Sequence, residues 1–498
     1  MTDTYDTGRA RPRVAIIGSG FAGVGAAIAL ERAGIADVVV LERADSVGGV
    51  WRDNDYPGAA CDVQSHLYSY SFAPNSEWQN MFARRDEILA YFERVTDEFG
   101  IGSRVLLNCA VREMHWDADA ACWTLHTARG EIEAEHVVVA TGALADPVVP
   151  GIPGRDRFEG PVFHSARWDH SFDLRGKRVA VVGTGASAIQ FVPEIQPLVE
   201  QLTVFQRTAP WVVPRHDRPI GERERAVLRS VPLLQKAARL RIYLERELTL
   251  LGFRNPALMA FTERTARNHL RKSVSDVGLR AKLTPDYRLG CKRILISNDY
   301  LPALDAPNAD VVTSGVREFT ARAVVDNDGV EHPVDAVIFG TGFETDRLPL
   351  TDRIYGPGGA TMAEVWGQSP SAYLGTTVTG FPNVYLMHGP NIALGHTSVL
   401  TMFESQINYL VEAIRYSAEH ECCAIEPSPE AQARFRALVD RLTDGSVWTA
   451  GGCSSWYLDA TGRNSNLWPG STLTFRRMTR RFQPSDHVLR TVGKELIS

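Results

Sequence analysis

The sequence predicts an α/β fold: two Rossmann-like dinucleotide-binding domains, with a helical insertion in the second. Three observations carry that prediction. A G-x-G-x-x-G motif at Gly18, Gly20 and Gly23 follows a short apolar run, and a G-x-G-x-x-A motif at Gly183, Gly185 and Ala188 follows another. Residues 221–280 have few glycines, mixed charge and helical periodicity. With 498 residues, 44% of them hydrophobic and 22% charged, the chain has the composition of a globular protein of two or three domains.

The first unit spans residues 13–45. Val14–Ile17 reads as a buried parallel strand, after which Gly18 makes the tight turn. Gly20 lets a pyrophosphate approach the backbone, and Gly23 permits close helix–strand packing, with a helix N-terminus facing the phosphates. A helix from about Ala22 to Ala33 ends near Gly34, and Val38–Leu41 is the next strand. Glu42 follows it, 19 residues beyond Gly23, where a carboxylate can accept ribose hydroxyls. An acid there suits a ribose without a 2′-phosphate, as in FAD or NAD.

The second unit, residues 177–209, repeats the plan with Val179–Val182 as its first strand. Glu42 lies 24 residues after its first Gly, and the residue 24 after Gly183 is Arg207, beside Thr208. A guanidinium pairs bidentately with a 2′-phosphate that a carboxylate would repel; the alternative is an exposed Arg at a strand end. The second nucleotide is thus NADPH, and two such units make a flavoprotein that takes hydride from NADPH. "HVVVATGA" (136–143) and "DAVIFGTGF" (335–343) are further strand-to-Gly turns. They divide the chain into a first FAD segment at 10–165, an NADPH domain at 166–338 with its helical insertion at about 221–280, and a second FAD segment at 339–498.

Net charge −6 and a pI near 6.1 argue against a nucleic-acid partner. The N-terminus has no apolar signal region, and no run of about 18 apolar residues occurs. A cytoplasmic protein with no membrane span and no required protein partner is expected. Seven cysteines without metal-ligand or C-x-x-C spacing fit reduced thiols. In the helical insertion Glu and Arg are interleaved, which points to a solvated face rather than a membrane surface.

"FEGPVFHSARWD" lies between the two units, with Phe158, Gly160, His164, Trp168 and Asp169 in the pattern F-x-G-x-x-x-H-x-x-x-W-[P/D]. "GGVWRDNDYPGAACD" supplies Gly49, Trp51, Tyr56, Pro57, Gly58 and Asp62. "GCKRILISNDYLPAL" contains Lys292 and Arg293, and "CSSWYLDATGRNSNLWPGST" contains Trp456. In these four stretches the chain resembles the Baeyer–Villiger monooxygenases, within the flavin-containing monooxygenases, over roughly residues 10–480.

The resemblance implies an enzyme that converts a ketone to an ester or lactone with O2, FAD and NADPH, through a C4a-peroxyflavin. It implies that Arg293 is the fixed cation beside the reacting anion and that Asp62 orients it. A cation that keeps its proton, in a site that excludes water, suits that chemistry. Lys292 would assist Arg207 and Thr208 at the 2′-phosphate; without the resemblance, Lys292 and Arg293 read as a solvated pair at a strand start. Gly49, Trp51 and Tyr56 would line the flavin loop, and Trp456 a mobile loop over the nicotinamide. His164, with Trp168 and Asp169, would control the relative position of the two domains; otherwise His164 is a structural residue that pins the linker. Two other readings stand beside this one: a related monooxygenase that oxidises nitrogen or sulfur, and an NADPH-dependent flavin reductase that oxygenates nothing.

Overall fold

The computed structural model describes residues 13–345, 348–491 and 494–497. Residues 10–12, 346–347, 492–493 and 498 of the expected FAD segments lie outside them. The apolar run Val14–Ile17 is the central strand of a five-stranded parallel sheet. Val38–Leu41 and then Val105–Leu106 lie on one side of it, His136–Val139 and then Val384–Leu386 on the other. A parallel sheet covered on both faces buries every residue of its inner strands, and Val14, Ala15 and Ile16 are fully buried. The helix Phe21–Arg32 covers one face and packs against the late helix Val399–Glu419. The last third of the chain thus completes the domain that the first residues began.

The second sheet has the same form around Arg178–Val182. Gln201–Phe205 and Ala309–Val312 flank it on one side, Ala336–Phe339 and Val162–His164 on the other, all parallel. His164 therefore sits at the end of an edge strand in this second sheet, opposite Phe339 and upstream of the expected changeover at 165. Gly160 is dictated by packing, since a Cβ there would lie 2.2 Å from the Asp335 carbonyl oxygen.

The two connections between the domains run side by side. Val148 N–H donates to the Gly342 carbonyl and Glu344 N–H to that of Asp146, both at 2.9 Å. This antiparallel contact is centred on Pro147 and Phe343.

Residues 221–280 are helical, as expected: Glu222–Ser230, Pro232–Arg254, Pro256–Ser273 and Val277–Lys282. Pro232 and Pro256 open their helices, where the missing N–H costs nothing. No described helix is long and apolar enough to cross a membrane.

The cysteine expectation needs correction. Cys291 and Cys453, 162 positions apart, form a disulfide, their Cα atoms 6.2 Å from each other. Pairing depends on approach in space, which spacing along the chain does not report. Cys61, Cys109, Cys422 and Cys423 keep free thiols.

Candidate active site

The first glycine motif is set by backbone crowding. A Cβ on Gly18 (φ +103°) would lie 2.5 Å from the Ala140 carbonyl oxygen, and one on Gly23 only 1.9 Å from that of Gly18. Gly20 faces the Gly49 backbone, where a Cβ would come within 3.0 Å of the Gly20 Cα. Three stretches of bare backbone thus converge before the helix Phe21–Arg32, whose first turn has no acidic residue and no side-chain cap. That cradle fits the pyrophosphate of FAD. Glu42 is buried behind it, accepting from Ser19 N–H (3.0 Å), Ser19 Oγ (2.6 Å) and Ala44 N–H (2.9 Å). Arg52 Nη1 stands 3.4 Å from Glu42 Oε1, so the carboxylate that would accept the ribose hydroxyls of FAD is held in place. Trp51 donates its indole N–H to the Tyr68 hydroxyl at 3.0 Å, the two rings edge to face.

The second motif is built alike: Gly183 (φ +109°) has no room for a Cβ, which would meet the Gly340 carbonyl oxygen at 2.4 Å. The Ala188 methyl faces Gly340 in turn, while Gly185 turns the chain into the helix Ala188–Ile195. Beyond the strand Gln201–Phe205, Arg207 is exposed and has no ion-pair partner among the described residues. The Lys292 ammonium lies 5.1 Å over the Tyr287 ring. Burial, and then Arg207, hold its pKa below the ordinary value. Two cations held near each other, the Arg207 effect on Lys292 outweighing that of Asp286, suit a dianion such as a 2′-phosphate. Thr208 contributes its carbonyl to the Thr184 hydroxyl at 3.3 Å.

Arg293 and Asp62 meet across 231 positions. Arg293 Nε donates to Asp62 Oδ2 at 3.0 Å, and Nη2 donates to the same oxygen. The pair lies deep between the domains yet faces open space, with side-chain exposures of 39% and 31%. Asp62 raises the Arg293 pKa further, so the guanidinium stays charged. Burial would raise the Asp62 pKa, but Arg293 and then Arg246 outweigh it and hold the carboxyl below its ordinary range.

Arg246, on the inner face of the helix Pro232–Arg254, donates to Gln64 Oε1 at 2.8 Å. The Tyr457 hydroxyl is buried beside the pair and pushed up to about 12, by burial above all. Neither Gln64, Arg246 nor Tyr457 was assigned from the sequence; the EREL pattern around Arg246 reads as surface until the helix is docked.

The loop after Trp51 reaches the other domain. Tyr56 donates to Gln190 Oε1 at 2.8 Å, and Gln190 Nε2 donates to the Ala60 carbonyl at 2.9 Å. Tyr56 therefore joins the domains as well as standing near the flavin loop. Trp168 packs on the core of the second domain, 5.3 Å from Phe163 and 5.4 Å from Phe191 between ring centres, and the Phe191 ring also meets that of Tyr56 at 6.1 Å. Asp169 caps its own turn through Ser171 N–H at 2.9 Å. His164 accepts from Ala166 N–H through Nδ1 at 3.0 Å, and its ring meets Phe343 of the return connection edge-on at 5.8 Å. Its Nε2 is buried with no hydrogen-bond partner in good geometry, and burial lowers its pKa to about 4. Trp456 points outward, 37% exposed, its ring 4.6 Å from that of Tyr457.

Residues 15–222 match the family described as pyridine nucleotide-disulphide oxidoreductase. A Baeyer-Villiger monooxygenase of Streptomyces coelicolor is 50% identical over 477 residues, covering 95% of this chain and 92% of its own. The chain belongs to the Baeyer–Villiger monooxygenases. A second protein of that name, from Pseudomonas aeruginosa, is 47% identical over 489 residues, covering 98% of this chain and 93% of its own. The solved structure of an oxidised steroid monooxygenase bound to NADP aligns with a TM-score of 0.86 and 29% identity, over 96% of this chain and 99% of that one. As a Baeyer–Villiger monooxygenase, the protein is an FAD- and NADPH-dependent oxidoreductase. Each glycine-lined cradle offers the bare backbone that a dinucleotide of such an enzyme would need.

Proposed function

We propose that this Baeyer–Villiger monooxygenase takes a small-molecule ketone into the space faced by Arg293, and that Arg293, Asp62 and the Arg207–Lys292 pair divide the work there. Bound FAD and NADPH supply the electrons and activate O2. The Asp62–Arg293 ion pair is the observation that carries the reading. A guanidinium held by one carboxylate oxygen has free N–H groups to aim at a negative oxygen on the substrate, in a site where few waters compete. Asp62 fixes the angle of the planar fork and keeps the charge in place. Arg207 and Lys292, which make no ion pair among the described residues, support a preference for NADPH over NADH. Tyr56 and His164 support domain control, because each touches a junction between the domains, and Trp168 backs them by packing on Phe191 behind Tyr56. The domain limits 10–165, 166–338 and 339–498 belong to this reading with one change, since the pairing of Val162–His164 in the second sheet supports a first changeover before residue 162.

The test is a panel of ketones and sulfides, scored by mass-resolved products rather than by NADPH loss. Esters or lactones from ketones support the reading. Sulfoxides or N-oxides alone would favour the nitrogen- and sulfur-oxidising alternative, and hydrogen peroxide as the sole product would favour a reductase.

A further inference from the structure

The expectation of a solvated outer face on the helical insertion is not met. Of the 17 large hydrophobic side chains exposed among the described residues, 10 fall between Val227 and Phe261. Scattered exposed leucines are ordinary, but a contiguous patch of them is a binding surface. On the helix Pro232–Arg254 the exposed residues Leu233, Leu240, Leu244, Leu248 and Leu251 recur at helical spacing. Each is followed two positions later, on the opposite side of the helix, by Gln235, Ile242, Arg246, Leu250 or Phe253. That inner side holds the helix to the protein: Arg246 meets Gln64, and Arg239 donates to the carbonyls of His66 and Ser69. The leucine row is therefore no consequence of loose packing. The next helix extends it with Leu258 and Phe261, 55% and 79% exposed.

The charges around the row choose its partner. Between residues 232 and 273 the exposed ionised side chains are seven cations, from Lys236 to Lys272, against one carboxylate, Glu245, which pairs with Arg241. This excess stands on a chain of net charge −6. A second copy placed against this face would set cations against cations. An anionic lipid surface is complementary to both features: acyl chains take the leucines, and headgroups take the basic rim. We propose that the outer face of the helices Pro232–Arg254 and Pro256–Ser273 docks the protein onto anionic membranes, lying in the interface without crossing it. The proposal does not depend on the roles given to Arg293 or Arg207.

The experiment is co-sedimentation of the full-length, FAD-loaded enzyme with vesicles of phosphatidylcholine plus phosphatidylglycerol, and with phosphatidylcholine alone. The variant Leu244→Gln/Leu248→Gln alters only exposed positions, and retained flavin absorbance checks its fold. The enzyme should sediment with the anionic vesicles and partition several-fold less onto phosphatidylcholine alone. The variant should lose about tenfold or more of its binding. A charge-reversed variant, Lys236→Glu/Arg254→Glu, should lose binding to anionic vesicles while its leucines remain. No binding to anionic vesicles, or equal binding by the leucine variant, would overturn the proposal. So would equal partition onto both lipids, or a dimer in analytical ultracentrifugation that the leucine variant dissolves.

Discussion

Arg293 and Arg207 are both cations with exposed surface, yet their surroundings differ. Arg293 is tied to Asp62 and stays charged at any working pH. Replacing it by Ala leaves both glycine cradles intact, so Arg293→Ala should still bind FAD and be reduced by NADPH. Loss of the main charge-stabilising donor should lower ester formation on the order of a hundredfold or more, with hydrogen peroxide released on reoxidation. Stopped-flow spectra of both half-reactions, with product analysis, check this; near-normal ester yield would remove Arg293 from the chemistry. Arg207 has no acid to neutralise it and pushes on Lys292. Arg207→Ala should raise the NADPH KM by about ten- to a hundredfold, the worth of a charge-assisted pair, and leave that for NADH nearly unchanged. Comparable kcat/KM for the two nucleotides in the unaltered enzyme would refute the assignment.

At the scale of elements, the Cys291–Cys453 bond ties the segment before Lys292 and Arg293 to the loop before Trp456. Cys291 is buried, but Cys453 is half-buried between exposed neighbours, so a small thiol can reach it. Opening the bond should raise hydrogen exchange in residues 452–455 by about tenfold, since the firmer contacts of the loop begin at the Trp456 carbonyl, which accepts from Asn466, and at the buried Tyr457, while the strands at 14–17 and 178–182 stay protected. Cys453→Ser should exchange at the faster rate with or without thiol. Unchanged exchange after alkylation has shown both thiols free would mean that packing alone holds the loop. The helices of the insertion were legible from periodicity, but which face each turns inward was not. Glu245, Arg246 and Glu247 are adjacent in sequence, and only docking separates exposed Glu245 from Arg246 in the cleft.

For the whole molecule, the paired connections at 146–148 and 342–344 and the Tyr56–Gln190 contact are places where hydrogen bonds join the two sheets' surroundings. His164 presses on Phe343 at that junction. His164→Ala should keep the product identity but slow turnover several-fold and raise the peroxide fraction, because the arrangement of domains is less well held. Normal rate and coupling would leave the residue a purely structural role. The fold also buries histidines in neutral form: burial lowers His136 to about 3, and His164, His388 and His487 to about 4, from 6.5. An unfolded chain takes up these protons first as pH drops, so the stability that neutral burial retains is full above pH 6.5 and is lost progressively toward pH 4. The lowered Asp62 adds a loss below its ordinary 3.8. The Tm should therefore fall between about pH 6.5 and about pH 4.5. A Tm that holds or rises over that window would contradict the buried, neutral state.

The sequence by itself determined both Rossmann units, their order and the chemistry each admits. Those features rest on local backbone: a turn that only Gly can make, a helix that starts there, and an acid or Arg at a fixed offset. It also determined the family, through short motifs whose residues lie near one another in the chain. Tertiary structure decided what depends on distant approach. It paired Asp62 with Arg293 and Cys291 with Cys453, assigned the His164 strand to the second sheet, turned Trp456 outward and set Arg246 in the cleft. It also exposed the leucine row. A helical period fixes which residues share a face, but only the partner that covers that face, or its absence, decides which side meets solvent.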